Sequence, residues 1–379
     1  MKAIEPPGSR GDVGHVFVAL DGLRGVAALA VVVFHYSIHL GHPLLPNAYL
    51  AVDFFFALSG FVIAHAYERK LRAGQGFGNF MRKRIVRLYP LYWIGITLPL
   101  ALIWLQAALL LPHPNRLRAI AAYVLALGFL PTPGAITPAA GSVFPLNDPA
   151  WSLSLEIAVN ALYALGCAWL SDRRLVLVIA LAATALAVAA FAHQGLAIGN
   201  DWPGYLGGWA RVLWSFFAGI LLYRLHLRRR RAVLPLWIGA LLVLALAGLF
   251  AVADTGPLFG LANAFVLFPL IIWIGARVEL AGAAARIASW LGLTSYALYI
   301  THLPILSLGL IVASLLHVDP AARFWPSLLI AVGGAVGAAW LLDRIYDVPV
   351  RRRLSRRGAR PSEVGPLIAE DGSKAAVKE

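Results

Sequence analysis

Arg24 and His35 lie eleven residues apart in a stretch, 17–38, that is otherwise almost wholly apolar. At 3.6 residues per turn this is close to three helical turns, so both side chains fall on one face, roughly 16 Å apart along the axis. Ionisable groups in apolar spans are costly in hydrocarbon and mark functional sites. Imidazole suits proton uptake near neutral pH, and guanidinium suits phosphate or carboxylate binding. A carboxylate, Glu156, follows in Trp151-Ser152-Leu153-Ser154-Leu155-Glu156, within two turns of the start of another apolar stretch. The two depths match, and a His–carboxylate pair in a low-dielectric pocket does base chemistry, with Glu156 assisting His35. An ion pair to a buried arginine is the plainer reading of Glu156. Arg82-Lys83-Arg84-Ile85-Val86-Arg87 gathers cations where a third apolar stretch begins. With Arg24, Arg84 and Arg87 can hold the phosphates of a ligand.

Asp53, Ser59, Ser152, Tyr299 and His302 are the candidate substrate contacts on neighbouring stretches. Asp53 is also readable as a helix cap or ion-pair partner, and His302 as a packing or hydrogen-bonding residue. His35, His39 and His42 give a His-x3-His spacing that can bind zinc on a helix. Gly41 and Pro43 place His42 at the helix end, however, and no acidic ligand is adjacent, so no metal is predicted. The one cysteine, Cys167, allows no intrachain disulfide and reads as a small apolar filler.

The elements that hold these residues must cross a membrane. Of 379 residues, 60% are apolar and 13% charged, against about 25% charged in soluble proteins. Mean hydropathy is +0.76. The fold class predicted is an all-α polytopic membrane protein, since a spanning helix needs about 20 apolar residues. Eleven stretches are candidates: 17–38, 49–67, 88–111, 117–131, 151–171, 174–193, 206–226, 232–253, 257–276, 291–316 and 325–346. Lys and Arg collect in cytoplasmic loops. The cation-rich connections at 68–87, 173–174, 228–231, 277–286 and 351–353 alternate with cation-poor ones only if 117–131 does not cross. About ten transmembrane helices result, plus one short re-entrant or interfacial helix, with both termini cytoplasmic. Residues 1–16 form a cytoplasmic segment, 17–347 the membrane domain, and 348–379 a basic, then disordered tail. The first apolar stretch carries Asp21, Arg24 and His35 and reads as an uncleaved helix. A net charge of +14 is explained by these loops; with no basic soluble domain, nucleic acid is not an expected partner.

Five blocks together resemble the acyltransferase family 3 membrane proteins, which O-acylate cell-surface sugars. They are Asp21-Gly22-Leu23-Arg24 with His35, Val52-Asp53-Phe54-Phe55-Phe56-Ala57-Leu58-Ser59-Gly60-Phe61, Arg84-Ile85-Val86-Arg87-Leu88-Tyr89-Pro90, Trp151 to Glu156, and Ser295-Tyr296-Ala297-Leu298-Tyr299-Ile300-Thr301-His302. The resemblance implies a bacterial inner-membrane enzyme with a ten-helix core. It would move an acyl group, usually acetyl, from cytoplasmic acyl-CoA to a hydroxyl of a periplasmic or cell-surface glycan or lipid-linked saccharide. It implies that His35 is catalytic, that Arg24 is essential, and that Arg84 and Arg87 belong to the donor-binding element. Acetyl-CoA is then a donor substrate, not a tightly held cofactor. Some family members continue into a soluble hydrolase-like domain, for which 348–379 is too short, so direct action on the acceptor or a separate partner is expected. The rival is a transporter or flippase of a lipid-linked sugar or small anion. The asymmetric set Arg24, His35 and Glu156, with no evident inverted repeat, speaks against it.

Overall fold

The computed structural model describes residues 16–138, 141–228, 232–253 and 256–356. Most of the N-terminal segment, the tail beyond 356, and Arg229 to Arg231 of the basic block lie outside the described residues. The described chain is a helical bundle with two isolated β-bridges. Its helices are α1 (Val18–His39), α2 (Ala51–Arg72), α3 (Phe77–Ala108), α4 (Arg116–Leu127), α5 (Ala150–Gly166), α6 (Asp172–Ala192) and α7 (Tyr205–Arg228). They continue as α8 (Leu236–Ala251), α9 (Pro257–Ala262), α10 (Phe268–Gly275), α11 (Gly282–Leu315), α12 (Phe324–Leu342) and α13 (Val348–Arg356). π-helical turns join α9 to α10 (Asn263–Leu267) and α12 to α13 (Asp343–Asp347).

Among the described residues, eight helices are long and apolar enough to cross a membrane: Val18–His39, Ala48–Arg72, Phe77–Ala108, Asp172–Ala192, Tyr205–Arg228, Pro257–Gly275, Gly282–Leu315 and Ala321–Arg356. The other two stretches read as spans become α5, of 17 residues, and α8, of 16. α5 is short because Pro149 opens it from a loop that reaches into the bundle. In that loop, Asn147 donates from Nδ2 to the carbonyls of Gly95 on α3 and Ile300 on α11, at 3.0 and 2.7 Å. α3 begins at Phe77, eleven residues before the apolar stretch, so the cations from Arg82 to Arg87 stand on the helix itself.

The 12-residue α4 is about 18 Å long, short of the roughly 30 Å hydrocarbon core. It folds back along α3, and its last carbonyls are not left orphaned. The hydroxyls of Tyr89 and Tyr92 donate to Leu127 and Ala126 at 3.1 and 2.7 Å, and Phe129 stacks on Tyr92.

α2 is the most enclosed of the long helices, 72% of its apolar window buried, whereas Ala321–Arg356 is 17% buried. The latter belongs to the lipid-facing rim. α2 and α7 touch through glycines: a Cβ on Gly60 would meet the Phe216 carbonyl, and one on Gly219 the Ala57 carbonyl, both at about 2 Å. Small residues at the contact let two backbones approach, which is how helices associate where lipid removes the hydrophobic drive. Gly25 and Gly292 do the same between α1 and α11.

The basic connections meet at one end. There Arg72 donates to the Leu170 carbonyl, Arg82 to that of Leu354, and Arg224 bridges Glu68 and Asp172. The start of α1 is there too, with Phe17 edge-on to His65 and His226. The cation-poor loops meet at the other end, where Asn47 binds Val252 and the 132–143 loop pairs with 200–202.

Candidate active site

Two cavities, each about 200 Å³, lie along the shared face of α1. Arg24 lines the first and His35 the second, and Val52 and Tyr299 line both. Arg24 and His35 thus line two neighbouring cavities with a common wall. Tyr299 is fixed there by a 2.8 Å hydrogen bond to Ser152 and by Phe55 edge-on to its ring.

The first cavity is cationic. Arg24 donates from Nε to Ser295 Oγ at 3.0 Å and from Nη2 to the Gly292 carbonyl at 2.8 Å, and it pairs with Asp21 at 2.9 Å. Arg84 pairs with Glu156 at 3.0 Å, and the Ser59 hydroxyl donates to the same carboxylate oxygen at 2.8 Å. Arg87 lies 5.8 Å from the Tyr296 ring and 3.9 Å from Asp347, which also binds Arg351 at 2.8 Å. Three guanidinium groups from α1 and α3 therefore converge on one space with Glu156 as the carboxylate among them.

The second cavity holds His35 beside His302, ring centroids 5.2 Å apart. His302 is buried, and its Nδ1 faces the Tyr299 carbonyl at 2.8 Å. A carbonyl only accepts, so Nδ1 carries the proton and Nε2 of the neutral ring is the basic nitrogen. That Nε2 is buried without a hydrogen-bond partner. Tyr36 donates to the His302 carbonyl at 2.7 Å. Opposite His35, Arg211 of α7 crosses to α2 and grips Asp53 with Nη2 at 2.7 Å and Nε at 3.2 Å. Two further N–H groups reach the carbonyls of Ile198 and Tyr49, and the guanidinium lies over Trp151 at 5.4 Å.

Glu156 is therefore not beside His35. Its carboxylate is held by Arg84 and Ser59 in the other cavity, so the expected His35–Glu156 pair gives way to the plainer ion-pair reading. Depth along a helix does not fix direction around it: Glu156 stands on α5, which packs on α3 and α7. Asp53 is the ion-pair partner of Arg211 with both groups almost fully buried, and it lines neither cavity. Ser59 and Ser152 line the arginine cavity, while His302 supports His35. His39 turns its Nδ1 to the His35 carbonyl and His42 packs on Phe324, so the three histidines do not converge. Among the described residues no group of three or more metal-ligating side chains gathers.

Three residues of the histidine cavity escaped the sequence reading: Arg211, Asp148 and Asn200. Arg211 had a signal, a lone arginine inside the apolar stretch 206–226. Asp148 and Asn200 sit in polar loops where such residues are ordinary.

The model of the acyltransferase 3 family, described as an acyltransferase domain, matches residues 17–344. The chain belongs to this family. The acyltransferase is also similar to three named proteins. It is 45% identical over 183 residues to "Protein 2 in picA locus" of Rhizobium radiobacter, covering 46% of this chain and 94% of that one. It is 27% identical to "Exopolysaccharide production protein ExoZ" of Rhizobium meliloti (strain 1021), over 71% of this chain and 80% of that one. It is 29% identical to "Acyltransferase MdmB" of Streptomyces mycarofaciens, over 93% and 96%. No solved structure matches the chain. The protein is thus a multi-pass membrane O-acyltransferase, and the enzyme reading stands over the transporter one.

Proposed function

We propose that this acyltransferase moves an acetyl group from cytoplasmic acetyl-CoA to a glycan hydroxyl on the far side of a bacterial inner membrane. The reading is carried by one observation: the arginine cavity and the histidine cavity share a wall at Val52 and Tyr299. Cations are retained on the cytoplasmic side. The basic end, where both described chain ends lie, would then face the cytoplasm and put Arg24 on the donor side and His35 toward the acceptor. The glycan acceptor is supported by similarity to a protein named for exopolysaccharide production.

Arg24, Arg84 and Arg87 would bind the donor phosphates by charge-assisted hydrogen bonds. The pantetheine arm would run past Tyr299 to bring the thioester to His35. The His35 imidazole takes the proton of the acceptor hydroxyl, and the oxygen attacks the thioester carbonyl. Collapse of the tetrahedral intermediate breaks the C–S bond, and the imidazolium returns the proton to the CoA thiolate. His302, with its Nδ1 proton fixed on a backbone carbonyl, packs its ring beside His35 and holds that imidazole in place. Glu156 serves by holding Arg84 in the donor cavity.

The test is labelled acetyl-CoA added to native membranes with wild type and His35→Ala. Label is expected in a base-labile glycan ester with wild type, falling about 10²- to 10⁴-fold in the variant, the range for loss of a positioned acid–base group. Equal labelling by both would overturn the role of His35, and no labelling by either would overturn the donor.

A further inference from the structure

Asp148 is the carboxylate that lines the histidine cavity, and among the described residues it forms no ion pair. It follows Asn147, which is pinned to α3 and α11, and precedes Pro149, which opens α5, so its backbone is held from both sides. Its described side-chain partner is an amide: Asn200 Nδ2 donates to its two oxygens at 3.3 and 3.5 Å. Asn200 comes from the loop before α7, and the two loops are tied by the Val143 N–H donating to the Asn200 carbonyl at 3.0 Å. The charged and titratable groups around Asp148 are His35, Arg211, Asp201, Tyr49 and Tyr299. Four of the five N–H groups of the Arg211 guanidinium go to Asp53 and to two carbonyls. Burial, with Asp201 nearby, pushes the Asp148 carboxyl up to about 6 despite the Asn200 hydrogen bond.

A carboxylate buried without a cation is costly to the fold. Here it faces a cavity whose walls, apart from His35, Asn200 and Arg211, are aromatic and apolar, Phe34, Tyr49, Trp151 and Ile198 among them. Asp148 offers only acceptors at neutral pH, while Asn200 offers an amide oxygen and a further N–H. Acceptor and donor groups side by side over apolar walls match neighbouring hydroxyls on a ring with apolar C–H faces. A phosphate or carboxylate would meet the Asp148 charge beside a guanidinium already committed to the Asp53 ion pair. The arginine cavity has the opposite charge character.

We propose that Asp148 and Asn200 recognise the acceptor as a neutral pyranose, binding two neighbouring hydroxyls while His35 takes the proton of the hydroxyl that is acylated. The proposal rests on the acyl-transfer reading for the role of His35, but binding alone tests it. The probes are methyl glucopyranoside, galactopyranoside and mannopyranoside, titrated into the full chain in detergent and followed by saturation-transfer NMR. Wild type is expected to bind at least one, and Asp148→Ala and Asn200→Ala to weaken it tenfold or more. Asp148→Asn keeps the shape and one acceptor, and is expected to weaken binding several-fold in a protein at least as stable as wild type. Arg84→Ala, in the other cavity, is expected to bind the pyranoside as wild type does. Absence of pyranoside binding by folded wild type overturns the proposal. So does unchanged affinity in both Asp148→Asn and Asn200→Ala. Pyranoside binding without any acetyl transfer to glycan overturns the acyl-transfer reading and leaves this recognition pair standing.

Discussion

The two cavities on α1 are close in volume and opposite in the use they make of charge. In the arginine cavity the cations outnumber the carboxylate that lines it, and Arg84 and Glu156 both keep some exposure, 14% and 20%. In the histidine cavity the one full ion pair, Arg211–Asp53, is sealed at 2% and 1%. The first arrangement leaves positive charge to meet a ligand, whereas the second uses it to join α2 to α7. A charged residue in a membrane pocket is therefore not by its presence a ligand contact. Its remaining hydrogen-bonding capacity decides.

The largest test of this contrast is on the sealed pair. Asp53→Ala leaves Arg211 charged and uncompensated in the bundle and is expected to cost about 3–5 kcal/mol, read as a fall in thermal unfolding temperature in detergent. Asp53→Ala combined with Arg211→Met is expected to recover much of that loss. Unchanged stability in Asp53→Ala would show that the pair is not structural.

Glu156→Gln comes next. It weakens a charge-assisted bond to Arg84, and donor KM is expected to rise roughly tenfold, with kcat little changed, since such bonds contribute about 1.5–3 kcal/mol. A fall in kcat at constant donor KM would return Glu156 to the side of His35.

The Asp148 carboxyl gives a pH signature confined to the histidine cavity. Its folded value, about 6, is above the ordinary 3.8, so folding favours the protonated form. Stability from this group is full below the ordinary value and is lost as pH rises through about 6, at no more than about 1.4 kcal/mol per pH unit. The wild-type minus Asp148→Asn difference in unfolding free energy isolates it. The two are expected to agree near pH 4, with Asp148→Asn more stable at pH 7. A flat difference would contradict burial of the charge.

The smallest effect is expected on the common wall. Tyr299→Phe removes the hydrogen bond to Ser152, about 1 kcal/mol, and loosens the partition without changing either cavity's charge. Thioester hydrolysis in the absence of acceptor is expected to rise modestly. No change would place the barrier between the chambers at Val52 instead.

Much of the fold was legible in the chain. The apolar stretches, the shortness of 117–131, and the Arg24–His35 face follow from local composition and helical period. The candidate residues were legible as a set, because charge inside an apolar run stands out. Their pairing was not. Glu156 lies 72 residues from Arg84 and 97 from Ser59, and Asp53 lies 158 from Arg211. No local pattern encodes which way a helix is turned toward partners so distant in the chain. Asp148 and Asn200 were invisible for another reason: an acidic or amide residue in a polar loop is unremarkable until the loop is seen folded into the bundle.

The sequence by itself determined an all-α membrane protein, its family motifs, and one helix carrying a guanidinium and an imidazole three turns apart. Those are properties of hydropathy and of a 3.6-residue repeat, both local. Tertiary packing alone decided that Asp53 is sealed by Arg211, that Glu156 serves the arginines, and that Asp148 faces His35's cavity. Gly60 and Gly219 bring α2 and α7 close enough for the Asp53–Arg211 pair to form, and Asn147 ties the loop that carries Asp148 to α3 and α11. Long-range contacts of this kind settle the assignment of each charge.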